Sequence, residues 1–281
     1  MNGKMLRRLR PLFLAALCPL MAYADGEVGV KASVQEGSAV KETAMFMLSK
    51  TPRISFDSDG KLVMKLGDSS TNVAELPLKN GAEMHITMQD YDESVNQQTV
   101  VVPADDYTTL SSAFLLTVPS DVEVYAPEYD VQTNVLKLDQ NTRVAEGTVL
   151  PAGTGVVLKK QGEYVFGYSD AEPSAVTSSL TGSVVSTPVT DYDGTVYSLA
   201  KEGGTVAFYK YSQSMTAAGK AYLVIPATHQ PEKIPFYDIA TSIGKELITP
   251  ASASAYNLAG QQVGNGYRGI IIQDGKKTYR K

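Results

Sequence analysis

Two histidines and a scatter of acidic pairs are what this 281-residue chain offers for catalysis. A nucleophile needs a base beside it, most often histidine. His85, in "AEMHITMQ", falls on the polar side of an alternating stretch, and His229 sits in a proline-flanked loop. No G-x-S-x-G accompanies them, so both read as surface residues. Paired carboxylates could act as acid and base in glycoside hydrolysis. The clusters here are Asp90, Asp92 and Glu93 in "MQDYDES", and Asp105 with Asp106 in "PADDY". The deciding quantity is the separation of the carboxyl groups, and chain spacing does not give it. Calcium is the ion that acidic loops of secreted modules would take. "DSDG" (Asp57, Asp59) and "DYDG" (Asp191, Asp193) each offer two carboxylates two residues apart. Neither runs on into a twelve-residue loop closed by glutamate, and turns capped by Asp have the same letters.

"GNGYRG", residues 264–269, matches the dinucleotide fingerprint G-x-G-x-x-G. That turn needs a strand before it and a helix after it, so that a helix N-terminus meets the pyrophosphate. "GIIIQDGKK" follows instead, a β-branched run closed by Asp-Gly, so the hexamer reads as a turn between strands.

Tyrosine carries the remaining binding signal. The chain has 16 Tyr, 7 Phe and no Trp. "YAPEY" (Tyr125, Tyr129), "EYVFGYSD" (Tyr164, Tyr168) and "AFYKYS" (Tyr209, Tyr211) space tyrosines evenly, which would place each pair on one strand face or in a loop. An exposed tyrosine face could stack on sugar rings or anchor a protein partner; tyrosine is also an ordinary strand residue with one wet end.

The elements that must position these residues are strands. Turn residues recur every eight to twelve positions, between segments rich in Val, Tyr, Thr and Ile, the pattern of an all-β sandwich or barrel. Hairpins are expected over residues 53–66 around Asp59-Gly60, near Asp193-Gly194, and around Asp274-Gly275. "LPAGTGVVLKK" and "MTAAGKAYLVI" echo one another, with Gly153 and Gly219 in equivalent places. Residues 25–97 are expected to form a small N-terminal β module, 98–228 a central β-sandwich, and 229–281 a C-terminal segment with a terminal hairpin. Soft boundaries fall at "ESVNQQ" and "THQPEKIP", with a third linker-like stretch at "TPASAS". The second half of "EKIPFYDIATSIGKEL" has some helical character.

Residues 1–24 read as a secretory signal: Lys4, Arg7, Arg8 and Arg10, then the short apolar run "PLFLAALCPLM", then "AYA" as the cleavage site near Ala24. The run falls short of the roughly 20 apolar residues of a membrane span. Cys18 raises lipidation as a rival, but Leu17 stands where a small residue is wanted. Cleavage would remove the only cysteine and leave 21 basic against 30 acidic residues, a net charge of −9. That balance argues against nucleic acid and anionic membrane as partners.

The tail "AYNLAGQQVGNGYRGIIIQDGKKTYRK" resembles the endings of many secreted and surface proteins of Bacteroidetes, through Tyr256, Asn257, Leu258, Gly260, Gln261, Val263, Gly269, Ile270 and Gly275 to Lys277. Arg268 replaces the usual lysine. The β segments upstream resemble the same proteins more loosely. The resemblance implies a short type IX-like sorting tail and export to the outer surface or medium, and it carries over no catalytic residue. The expectation is an exported, non-catalytic surface protein that binds an extracellular glycan or protein in adhesion or recognition. Its alternatives are a secreted glycoside hydrolase using Asp/Glu and a structural subunit that assembles by strand addition. No cofactor other than calcium is indicated, and the oligomeric state is left open.

Overall fold

The computed structural model describes residues 27–104 and 107–238 and, beyond these, 255–257, 262–263, 268–273 and 276–280. The protein is all-β. Among the described residues there are strands and three short 3-10 turns, and no α-helix. Two compact units divide at residue 238/239.

The first unit is built on three hydrophobic cores. The N-terminal core lies between the sheet of Ala39–Met47, Val28–Glu36 and Ala82–Asp90 and the sheet of Pro52–Phe56, Leu62–Leu66 and Ala74–Leu76. Alternation puts Val30, Ala32 and Val34 on parity-matched positions of one strand, and all three are buried. This core is not closed by residues 25–97 alone. Ala113, Phe114, Leu115, Val184 and Val185 complete it. Phe114 meets the Tyr168 ring edge-on at 5.1 Å and Phe46 at 6.2 Å.

The rest of the unit is a stack of three sheets. Gln97–Val102, Gly162–Tyr168, Leu116–Thr117 and Val149–Leu150 form the first, and Tyr107–Leu110, Val156–Lys159, Glu123–Tyr125 and Arg143–Val144 the second. A seven-stranded sheet forms the third. "VVL" in the middle sheet shows why three layers are needed. Val156 and Leu158 enter the core shared with the first sheet, Val157 enters the core shared with the third, and all are 0% exposed. A strand buried on both faces reads as an unbroken apolar run, as this one does.

The seven-stranded sheet contains a parallel pair, Val135–Leu138 beside Lys233–Asp238. The second of these strands lies in "THQPEKIPFYD", which composition marks as a junction; it is paired on both sides, with Pro235 opposite Ala207. "ESVNQQ" is likewise tied down. The Asn96 side chain accepts from Met45 N at 2.6 Å and donates to Met45 O at 2.8 Å, as a strand neighbour would.

The first expected hairpin forms, with Ile54 opposite Met64 and Gly60 at φ +78°. The second is corrected. Residues 189–191 form a 3-10 turn rather than a strand, and Thr195–Glu202 pairs instead with Thr205–Lys210. The turn is Gly203-Gly204, with φ of +56° and +81°, the backbone a two-residue hairpin loop requires.

The second unit is a sheet ordered Gln262–Val263, Ala255–Asn257, Gly269–Gln273, Lys276–Arg280. Gln273 faces Lys276, as the third expected hairpin requires, although Asp274-Gly275 lies outside the described residues. "TPASAS" and the helical stretch expected after residue 238 also lie outside them.

Candidate functional site

A cleft of about 340 Å³ lies where the middle sheet meets the seven-stranded sheet. It forms because Tyr107–Leu110 is a terminal strand of its sheet and runs beside Lys220–Ile225 without a full ladder. At one end the two strands are joined: Ser111 N donates to Gly219 O at 3.1 Å, and Ala221 N donates to Thr109 Oγ1 at 3.1 Å. Beyond that point they part, and Pro103, Tyr107, Thr108, Ser198, Lys201 and Tyr211 are among the residues that line the gap.

Lys220 lines the cleft and donates from Nζ to Thr108 Oγ1 at 3.1 Å. Desolvation of the ammonium pulls its pKa below the ordinary lysine value. No carboxylate pairs with Lys220 among the described residues. Lys201 also lines the cleft, and Lys159 lies over the Tyr107 ring at 5.9 Å. The described lining contains lysines and no Asp or Glu, on a chain whose overall charge is negative. The aromatic wall is Tyr107, Tyr211 and Tyr222, the last two packed edge-on at 5.2 Å. Burial, together with the neighbouring Tyr211, raises the Tyr222 phenol above its ordinary value, so it stays neutral.

Of the six tyrosines singled out from spacing, Tyr211 alone lines this cleft. Its hydroxyl donates to Met215 O at 2.9 Å. Tyr125 is 7% exposed, belongs to the core between the middle and seven-stranded sheets, and donates to Glu123 Oε2. Tyr164 is 4% exposed, in the core between the first two sheets, with its hydroxyl on Lys160 O and Gln161 O. Tyr168 packs against Phe114, and burial followed by the nearby Glu42 charge raises its pKa. Tyr129 donates to Asn134 Oδ1 at 2.8 Å, and Tyr209 to Glu202 O and Thr205 O. The six therefore do not make one face; they are shared among separate cores and strand ends.

The acidic candidates are engaged locally. Asp57 Oδ1 accepts from Asp59 N and Lys61 N, the capping of a tight turn. Asp191 pairs with Lys79 at 3.7 Å, and Asp193 is exposed. No group of three or more His, Cys, Asp or Glu side chains placed to hold a metal occurs among the described residues. Asp92 caps a 3-10 turn through Ser94 N and Oγ, and those hydrogen bonds hold its carboxyl below the usual range. Asp105 and Asp106 lie outside the described residues. His85 is exposed beside Glu83 at 2.9 Å. His229 is less isolated than its loop suggests: its Nε2 and the Tyr129 hydroxyl share Asn134 Oδ1. Strand addition would have to use terminal strands such as Gln97–Val102, where Val101 is 62% exposed.

"GNGYRG" leads into the strand Gly269–Gln273, with Gly269 at φ +138°; Gly264 to Tyr267 lie outside the described residues.

Spacing alone misses Lys220, Lys201, Tyr107 and Tyr222. The signal that bears on them is the echo between the two Ala-Gly turns. Gly153 and Gly219 both have φ +75°. Gly153 N donates to Ser112 O, and Gly219 O accepts from Ser111 N. The paired turns thus grip one two-residue segment from both sides, and the second turn delivers Lys220 to the cleft. No helix among the described residues is long and apolar enough to cross a membrane. No family model, curated protein or solved structure matches the chain.

Proposed function

We propose that this is an exported, non-catalytic recognition protein that binds an extracellular glycan or protein at the cell surface, with the cleft beside Lys220–Ile225 as its contact site. The observation that carries the reading is the cleft itself: a concavity with tyrosine walls, hydroxyl groups and lysines, formed beside a terminal strand. Its volume lies near the lower end of the roughly 300–1,000 Å³ range of small-ligand pockets. The export component rests on residues 1–24 and on the tail's resemblance to type IX-sorted proteins of Bacteroidetes. The assignment of a binding rather than a catalytic role rests on what lines the cleft. Tyrosine faces and hydroxyls can stack on and orient a ligand.

The test is binding of the purified protein to glycan and surface-protein arrays, together with adhesion of cells lacking it. Specific binding lost on substitution of Tyr211 or Tyr222 supports the reading. Absence of binding on both arrays, with normal adhesion of the deleted cells, sinks it.

A further inference from the structure

The joint between the N-terminal core and the stacked sheets closes on an ionisable side chain. We propose that Glu42 is a proton-operated latch at this joint: with its carboxyl neutral, Ala39–Met47 stays docked on residues 112–114, and with it ionised that contact opens while the stacked sheets stay folded. The latch does not depend on the cleft having a ligand.

The geometry is that of an acid closed away from water. Glu42 is 5% exposed and is the one buried acidic or basic residue among those described. Val34 stands opposite it on Val28–Glu36, and Val34, Ala44 and Ala113 all belong to the N-terminal core. Glu42 Oε2 accepts from Ala113 N at 2.8 Å and from Ser112 Oγ at 2.9 Å, and Ser112 Oγ in turn accepts from Phe114 N at 3.0 Å. Oε1 is buried and has no partner. A carboxylate spreads its charge over both oxygens, so ionisation here leaves charge on an atom with neither a donor nor water. A proton removes that cost, and so does opening the contact, which hydrates both oxygens. The shift agrees with this geometry: burial raises the carboxyl from 4.5 to about 7, against the hydrogen bonds from Ala113 and Ser112.

The ionisable groups on the surrounding elements have partners of their own or stay neutral. From the first stacked sheet comes Tyr168, whose phenol burial and the Glu42 charge push upward, so it remains uncharged. Glu75, whose backbone meets Ala113, is held by Lys61 at 3.4 Å and Asn72 Nδ2 at 2.9 Å. Lys41 pairs with Glu36 at 3.5 Å, and on Ala82–Asp90 His85 lies against Glu83 at 2.9 Å. The two cores of the stacked sheets contain neither Glu42 nor residues 112–114, so opening the latch leaves them packed.

The sign follows from the raised pKa. The closed form holds more protons than the open form between about pH 4.5 and 7, so the latch is tightest at and below about 4.5 and weakest above about 7. The experiment is amide hydrogen exchange of the purified protein from pH 4 to 8, corrected for the intrinsic pH dependence of exchange. The opening constant of amides in 28–47 and 113–115 should rise about tenfold per pH unit between those values, on the order of 100-fold in all, and then level off. Amides of Val156–Lys159 should show no such rise. Glu42→Gln keeps an acceptor for Ser112 and Ala113 but cannot ionise, and its profile should be flat. A carbon-13 titration of the Glu42 carboxyl in the parent needs no variant to fold and should give a midpoint near 7. A midpoint near 4.5 overturns the proposal, as does a rise that survives Glu42→Gln. An equal rise at Val156–Lys159 also overturns it, because the molecule would then open as a whole rather than at the joint.

Discussion

Residues 107–116 pass through two environments that differ in almost every respect. At 107–109 the strand runs along the cleft: Tyr107 is half-buried, Thr108 accepts from Lys220 Nζ, and Thr109 accepts from Ala221 N. A few residues later the chain is closed and acidic. Ser111 through Leu116 are each 4% exposed or less. Ser112 Oγ and Ala113 N donate to Glu42 Oε2 at 2.9 and 2.8 Å, and Phe114 fills the N-terminal core. Ala113 O accepts from Glu75 N, and Leu115 N donates to Val73 O, so this stretch also extends the second N-terminal sheet. Each end meets an ionisable side chain from another part of the chain. At the open end, desolvation lowers a lysine whose other face meets solvent. At the closed end, burial raises the Glu42 carboxyl to about 7, outweighing its hydrogen bonds from Ala113 and Ser112. Its Oε1 is buried with no partner. The lesson is one of division of labour: the closed end joins the N-terminal core to the stacked sheets, and the other end lines a cleft.

The largest expected effect is at the closed end. Phe114→Ala removes a ring that three segments pack against and should cost about 3–5 kcal/mol, read by urea unfolding. If it costs under 1 kcal/mol, the stretch is not a shared core and the contrast collapses.

Glu42 comes next, with a sign that depends on pH. A carboxyl raised from 4.5 to about 7 holds more protons folded than unfolded between those values. Stability from this group is therefore greatest at and below about pH 4.5 and falls as pH rises through about 7. Glu42→Gln should match the parent near pH 4 and exceed it by up to about 3 kcal/mol near pH 8. Thermal midpoints of both proteins across that range check this. Parallel curves would show that Glu42 is not desolvated in solution.

Gly219→Ala isolates the turn that links the two ends. The nearest atom to an added Cβ is Ser111 O at 3.8 Å, so crowding is absent and only the φ of +75° is penalised. A loss of about 1 kcal/mol is expected, with weakened ligand binding because Lys220 is the next residue. The smallest effect belongs to the open end. Lys220→Met should change stability by no more than about 0.5 kcal/mol in urea unfolding, the usual size for an exposed position. A large destabilisation there would mean that the Lys220–Thr108 hydrogen bond helps hold the two sheets together.

The hairpins show what was legible. Residues 53–66 announced their register because Ile54, Leu62 and Met64 alternate around an Asp-Gly turn, a purely local code. Asp193-Gly194 has the same letters and forms no hairpin; Thr195–Glu202 instead pairs with Thr205–Lys210 through Gly203-Gly204, whose φ values are both positive. The tyrosines failed as a site for the same reason that they succeeded as strand residues. Even spacing says which residues share a strand face, but it does not say whether that face looks at solvent or at another sheet. In a stack of three sheets most faces look inward, and Tyr125 and Tyr164 went with them.

By itself, the amino-acid sequence determined the all-β class and the positions of many turns. Those follow from side-chain period and backbone preference, which act over a few residues. The tertiary structure decided which strands became neighbours, as in the parallel pairing of Val135–Leu138 with Lys233–Asp238 across nearly a hundred residues. It also decided that Lys220 and Thr108 would share a cleft. Such meetings depend on which hydrophobic faces bury one another, a global balance of packed area that no local spacing encodes.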